Sequence, residues 1–266
     1  MPPNPPNDRI AWVTGASSGI GRALARRLAE RGYRVAASAR SAKDLDALAS
    51  EVPGRITAFQ LDVTKPEACI ETGSAIERAL GQVDLAVLNA GSYFPTTAAN
   101  FSVDNFRRTV DLNLMGTVNC MGAIVPSMVG RKSGHIAVMA SLTGYLGLPT
   151  AASYGATKAA LISMAHSFRP DFERYGVTMS VINPGFVKTP LTDKNTFKMP
   201  FLMDVGDAAA IMVRDIERQK RESHFPVPFS WMLKLLRILP FPLYRWLILR
   251  GTRGQQQARR PITGNR

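Results

Sequence analysis

At 266 residues, with 45% apolar side chains, the chain has room for one large α/β domain or two small ones. Two cysteines, Cys69 and Cys120, exclude a disulfide framework, and three scattered histidines (His135, His166, His224) supply no metal cluster. Net charge is +13, but Lys234, Arg237, Arg245, Arg250, Arg253, Arg259, Arg260 and Arg266 fall together at the C-terminal end with no acidic residue among them and no nucleic-acid recognition motif beside them.

Residues 1–8 are rich in Pro and Asn and carry neither a basic n-region nor an apolar h-region, so a disordered lead-in is expected there and not a signal peptide. The cysteine usage points to a reducing, cytoplasmic setting. Arg9 to Thr14 reads as a buried strand. It runs into Thr14-Gly15-Ala16-Ser17-Ser18-Gly19-Ile20-Gly21, after which helical spacing continues to Gly32. Strand, glycine-rich turn and helix form the context of a dinucleotide site. Small residues admit the pyrophosphate, and the helix N-terminus offers N–H groups and positive potential. A ligand-free glycine turn is the alternative at this point.

Tyr33 to Ala39 is the second strand. Its end reads Ser38-Ala39-Arg40, without the acid that would bond ribose hydroxyls and repel a 2′-phosphate. Arg40 offers a planar, permanent charge suited to phosphate, which points to NADP(H) over NAD(H), with Ser17 or Ser18 as helpers. Ser41 to Asp44 resembles a capping box opening a helix to Val52, and Thr64 to Glu67 resembles another, opening a helix to Leu80. Between them Arg55 to Leu61 is a third strand. It ends at Asp62-Val63, where Asp62 could bond an adenine amino group or cap the strand end. Val83 to Leu88, almost wholly apolar, is a fourth strand that ends in Asn89-Ala90-Gly91.

A long helical stretch from Val103 to Met128 holds Asn113 among apolar neighbours. A fifth strand, Gly134 to Ala140, ends at Ser141. Tyr154 and Lys158 stand four apart on the next predicted helix, hence on one face, where an ammonium would favour the phenolate. Val177 to Ile182 is a sixth strand, followed by Asn183-Pro184-Gly185-Phe186-Val187-Lys188-Thr189. Ala208 to Glu217 reads as helix and Ser223 to Val227 as a short last strand. The alternation predicts a single-domain Rossmann fold over 9–228, a doubly wound parallel sheet of about seven strands with helices on both faces.

The ordered set Thr14-Gly15 to Gly21, Asp62, Asn89-Ala90-Gly91, Asn113, Ser141, Tyr154, Lys158 and Pro184-Gly185 with Thr189 resembles the short-chain dehydrogenase/reductase family, in the manner of its NADP-preferring, hydroxysteroid-dehydrogenase-like members. Two departures stand out: Leu88 precedes Asn89 where a further Asn is common, and the last forty or so residues match no shared motif. The resemblance implies an oxidoreductase that interconverts a carbonyl and a secondary alcohol, with a cofactor-binding protein that has lost turnover as the alternative. It implies Tyr154 as general acid or base, Lys158 as the group that lowers the Tyr154 pKa and bonds the nicotinamide ribose, Ser141 as donor to the substrate oxygen, and Asn113 as holder of a water linked to Lys158. It assigns the cofactor to Gly15, Ser17, Ser18, Gly19, Ile20, Gly21, Arg40, Asp62, Val63, Asn89, Ala90, Gly91, Tyr154, Lys158, Pro184, Gly185, Val187 and Thr189. It also implies a homodimer or homotetramer, and the scattered cysteines and histidines leave no metal site expected.

Residues 186–205, with Phe186, Leu191, Phe197, Met199, Phe201, Leu202 and Met203, read either as a lid suited to an apolar, lipid- or steroid-like substrate or as a loop packed on its own body. Beyond them, 229–250 reads as two apolar amphipathic helices, Phe229 to Leu239 and Leu243 to Leu249, broken by Pro240-Phe241-Pro242 and too interrupted to cross a membrane. Three placements are open: a peripheral contact with the inner face of a membrane, a clamp on a second subunit or over the active-site mouth, and simple core packing. Residues 251–266 read as a basic, flexible tail.

Overall fold

A computed structural model of the protein describes residues 8–193 and 199–257. Seven strands lie in the order β3-β2-β1-β4-β5-β6-β7, and every neighbouring pair is parallel. They are β1 (Ile10–Thr14), β2 (Arg34–Ala39), β3 (Ile56–Gln60), β4 (Val83–Leu88), β5 (Gly134–Met139), β6 (Val177–Pro184) and β7 (Glu222–Phe225). The order reverses between β1 and β4. In open parallel sheets the crevice at such a reversal, beyond the carboxyl ends of the strands, is where ligands bind.

Strand periodicity divides the core. On β1, Ala11 and Val13 face α1 (Gly19–Glu30), α2 (Ala42–Glu51) and α7 (Val205–Glu217), while Ile10 and Trp12 face α3 (Pro66–Ala79), α5 (Gly116–Gly130) and α6 (Ala152–Arg174). Both faces are therefore covered, which is why the strands read as near-continuous apolar runs. Most polar atoms carried inside are paired, Thr143 Oγ1 and Asn183 Oδ1 being exceptions among the described residues. The Trp12 indole N–H donates to Ser38 Oγ at 2.9 Å, and His135 Nε2 lies 2.8 Å from Ser180 Oγ.

Several local details differ from the sequence expectations. Ser41 does cap α2, accepting from the Asp44 N–H at 3.3 Å. Thr64 does not cap α3; that helix starts after Lys65 without a side-chain cap, and the Thr64 N–H and hydroxyl both donate to Asp62. The predicted single helix from Val103 is α4 (Val103–Val110), a π-helical turn over Asp111–Met115, and α5. Asn113 lies within that turn and is fully buried.

The last strand, expected over Ser223 to Val227, starts one residue earlier and ends two residues earlier. The C-terminal helices are α8 (Val227–Arg237) and α9 (Phe241–Gln257), so α9 continues past the position where a flexible tail was expected. The expected lead-in over Met1 to Asn7, Phe197 of the expected lid, and the end of the tail from Ala258 lie outside the described residues.

Candidate active site

The glycine-rich turn leaves β1 at Thr14 and enters α1 at Gly19. Gly15 and Gly19 hold left-handed backbone, at φ of +67° and +55°. Gly21 is constrained by space instead. A Cβ there would stand 2.2 Å from the Gly15 carbonyl oxygen and 2.5 Å from Asn89 Nδ2. Asn89 binds the turn to β4, with Nδ2 donating to the carbonyls of Thr14 (3.0 Å) and Gly15 (3.3 Å). Thr14 Oγ1 accepts in return from the N–H groups of Asn89 (3.0 Å) and Ala90 (3.1 Å). Ser18, at the N-cap of α1, makes no side-chain cap, so the first N–H groups of a twelve-residue helix are left for a ligand. Thr189 stands over the same helix start, its Cβ 3.4 Å from where a Cβ on Gly19 would be. This cradle of glycines at an uncapped helix N-terminus fits a pyrophosphate.

At the end of β2 the Arg40 side chain is exposed, and among the described residues its guanidinium makes no hydrogen bond or ion pair. Asp62 follows β3. Burial pushes its carboxyl up, but the bonds from Thr64 and the charges of Arg40 and Lys65 outweigh that and hold it below the usual value. Its Oδ1 is taken by Thr64, which is the strand-end cap reading of this residue. Val63 is buried, its side chain packed where a Cβ on Gly116 would be, 2.7 Å away.

The polar centre lies at the ends of β4, β5 and β6. Asn113 is fully buried; its Oδ1 accepts from the Ser92 N–H at 2.8 Å, and its Nδ2 donates to the Ser92 carbonyl at 2.9 Å and to Thr157 Oγ1 at 3.3 Å. A Cβ on Gly91 would stand 3.1 Å from Asn113 Oδ1 and 3.6 Å from Lys158 Nζ, so the three residues meet at one point. Lys158 is 3% exposed, and its ammonium donates to the Met139 carbonyl at 2.7 Å. An ammonium has three donors, and this is the one hydrogen bond it makes among the described residues. A buried cation with unspent donors fits ribose hydroxyls.

Ser141 caps a short 3-10 turn (Leu142–Gly144). Its Oγ accepts from the Thr143 N–H at 3.2 Å and donates to the Pro184 carbonyl at 3.4 Å. Tyr154 lies in the first turn of α6, edge-on to Tyr93 with ring centroids 5.4 Å apart, and the Lys158 ammonium lies 5.5 Å from its ring centre.

The electrostatics differ from the sequence expectation. Burial pushes the Tyr154 phenol up to about 12, and a hydrogen bond with Ser141 only partly opposes this. Burial also pulls the Lys158 ammonium down to about 8. Proximity of the pair is as expected, but desolvation controls both groups. As the site stands the lysine does not make the phenol more acidic.

Ser141 and Tyr154 open onto a cavity of about 270 Å³, whose other walls are mainly apolar: Leu142, Leu148, Phe186, Leu191, Phe229, Met232, Leu233, Leu236 and Ile248 among them. Gly185 lies on its edge, with its N–H bonded to the Phe225 carbonyl at 2.7 Å. Val187, 2% exposed, bridges to Met203 beneath the loop. Phe229 is stacked between Phe186 and Phe201, at 5.9 and 5.8 Å. Helix α8 is thus the roof of the cavity.

A polar pin holds that roof down. The Tyr145 hydroxyl donates to Glu222 Oε1, Asn183 Nδ2 donates to the same oxygen at 3.2 Å, and Lys234 Nζ of α8 lies 3.3 Å from Glu222 Oε2. Sequence reasoning missed Tyr93, which follows Gly91 by two residues and could have been noted for that. It also missed the Tyr145–Glu222 pin, whose members are 77 residues apart and carry no local signal.

A switch-point crevice, a glycine cradle and a buried Tyr–Lys–Ser cluster define a dinucleotide-dependent oxidoreductase. The sequence profile described as "short chain dehydrogenase" matches residues 9–199, and the chain belongs to that family, whose members use nicotinamide cofactors. It is 41% identical over 239 residues to an uncharacterized oxidoreductase of Myxococcus xanthus, covering 89% of this chain and 94% of that one. It is 33% identical over 190 residues to the 3-oxoacyl-[acyl-carrier-protein] reductase FabG of Staphylococcus epidermidis, covering 70% and 78%. Among solved structures, a short-chain dehydrogenase from Streptomyces avermitilis superposes with a TM-score of 0.79 over 95% of this chain and 99% of that one. At 23% identity this likeness concerns the fold alone.

Proposed function

We propose that the protein is an NADP(H)-dependent oxidoreductase that interconverts a ketone and a secondary alcohol on an apolar, lipid- or steroid-like substrate. The observation that carries this reading is the placement of Ser141 and Tyr154, two polar hydroxyls on the wall of an otherwise apolar cavity beside the glycine cradle. The reductase FabG, which by its name acts on a 3-oxoacyl group, supports a carbonyl as the reacting group.

The cofactor supplies the hydride in reduction and takes it up in oxidation. The chain's residues do the rest. In reduction the substrate oxygen gains negative charge, and the Ser141 hydroxyl is assigned to meet it as a hydrogen-bond donor. Tyr154 passes its phenolic proton to that oxygen, giving the alcohol. A phenol raised to about 12 holds its proton through the physiological range, as the proton donor in reduction must. Lys158, still mostly charged at neutral pH, is the donor set for ribose hydroxyls. We assign the water that restores the proton to the corner where Asn113, Gly91 and Lys158 meet.

Arg40, together with Ser17 or Ser18, is assigned to a 2′-phosphate, and Asp62 with Val63 to the adenine side. Pro184, Gly185, Val187 and Thr189 are assigned to the nicotinamide end. NADPH oxidation measured with a panel of apolar and polar ketones tests the reading. Turnover confined to apolar ketones is the expected result, and none with any ketone would overturn it. The family resemblance further suggests a homodimer or homotetramer, which light scattering on the purified chain would decide.

A further inference from the structure

Helix α8 is apolar on both sides. Phe229, Leu233 and Leu236 point into the cavity, while Trp231, Leu235 and Ile238 point out and are 61%, 61% and 76% exposed. The outer face continues onto α9, where Phe241 is 71% and Trp246 51% exposed. Interleaved with these rings are the exposed Arg237, Arg245 and Arg250, and the Arg250 guanidinium lies 5.2 Å from the Trp246 ring centre. From Ser223 to Arg266 the sequence contains no acidic residue. We infer that the outer face of α8 and α9 docks on an anionic lipid surface, lying in the plane of the headgroups.

The charge pattern selects the occupant. A two-fold contact with a second copy would set Arg237, Arg245 and Arg250 into an interface that offers no carboxylate from this region to either partner. Lipid phosphates supply the missing anions, and tryptophans beside arginines match headgroup depth. The helices do not cross the bilayer. Among the described residues one helical stretch is long and apolar enough for that, Val103–Gly130, and it carries the buried Asn113 inside the body.

Met232 gives the docking a consequence. It lines the cavity and is 45% exposed, next in sequence to the exposed Trp231, and we place it between the lipid surface and the substrate space. A substrate dissolved in the bilayer would enter there. This second step rests on the apolar-substrate reading above; the docking does not.

The test is flotation of the full chain with phosphatidylcholine vesicles, with and without phosphatidylglycerol, read together with tryptophan emission. Trp12 is fully buried in the sheet, so a change of emission reports Trp231 and Trp246. Binding to the phosphatidylglycerol vesicles with a blue shift, reversed by salt, is expected. Each arginine replaced by glutamine should weaken partition on the order of fivefold, and Arg237→Gln, Arg245→Gln and Arg250→Gln together on the order of a hundredfold. Absence of flotation and of any shift for the wild type overturns the inference. So does a lipid-independent oligomer that Ile238→Asp splits in sedimentation. Vesicle binding with no ketone turned over would leave docking standing and remove the entry route.

Discussion

Lys158→Met should make the protein more stable and inactive at once. The wild-type ammonium is 3% exposed and is pulled from its ordinary 10.5 to about 8 by burial. A displacement of that size corresponds to roughly 3 kcal/mol by which the charged form disfavours the folded state. Methionine fills similar space without charge, but it gives up the bond to the Met139 carbonyl, worth roughly 1–2 kcal/mol for a charged donor. The net expectation at pH 7 is a gain of about 1–2 kcal/mol.

The pH dependence identifies the cause. Between about 8 and 10.5 the unfolded chain keeps the lysine proton and the folded chain has lost it, so wild-type stability rises with pH across that window. The advantage of the variant should therefore be constant below about pH 8 and disappear toward 10.5. Urea unfolding at pH 7, 8, 9 and 10, followed by tryptophan emission, measures it. A variant less stable than wild type at pH 7, or a difference that ignores pH, would refute the assignment of Lys158 as a buried, desolvated charge.

Arg40→Ala should raise KM for NADPH on the order of tenfold to a hundredfold and leave KM for NADH nearly unchanged, since among the described residues the guanidinium makes no hydrogen bond or ion pair and only a through-space interaction with Asp62 is lost. Equal changes for both cofactors would refute the 2′-phosphate assignment. Gly21→Ala would put a Cβ 2.2 Å from the Gly15 carbonyl, so the turn must move; cofactor affinity by calorimetry should fall at least tenfold while the circular dichroism spectrum stays α/β. Glu222→Ala leaves the Tyr145 hydroxyl and the Lys234 ammonium without their shared carboxylate. It should cost about 2–3 kcal/mol and speed hydrogen exchange in α8 more than in α1. Uniform exchange changes would mean that the pin does not hold the roof.

Much of this architecture was legible in the chain. Strand ends carry punctuation: Gly15, Asp62, Asn89, Ser141 and Pro184 each follow an apolar run, and each lies at the carboxyl edge of the sheet. What pattern could not reveal has physical reasons. A π-helical turn adds one residue to a helix without any signature residue, so the irregular turn at Asn113 was invisible. Helix α8 is apolar on two faces, and periodicity alone cannot choose which face is buried; the choice came from the space above Ser141 and Tyr154. The Tyr154–Lys158 spacing indicates contact but not dielectric, and it was burial that decided the acidity of both groups.

The central claim is that Tyr154 moves the proton, and Tyr154→Phe tests it most directly because it removes one oxygen from the cavity wall and leaves the ring packed on Tyr93. With NADPH and the best ketone of the panel, kcat should fall about a hundredfold to ten-thousandfold, the range expected for loss of a general acid, while NADPH affinity stays within about threefold. A variant that turns over at the wild-type rate with intact cofactor binding would contradict the account.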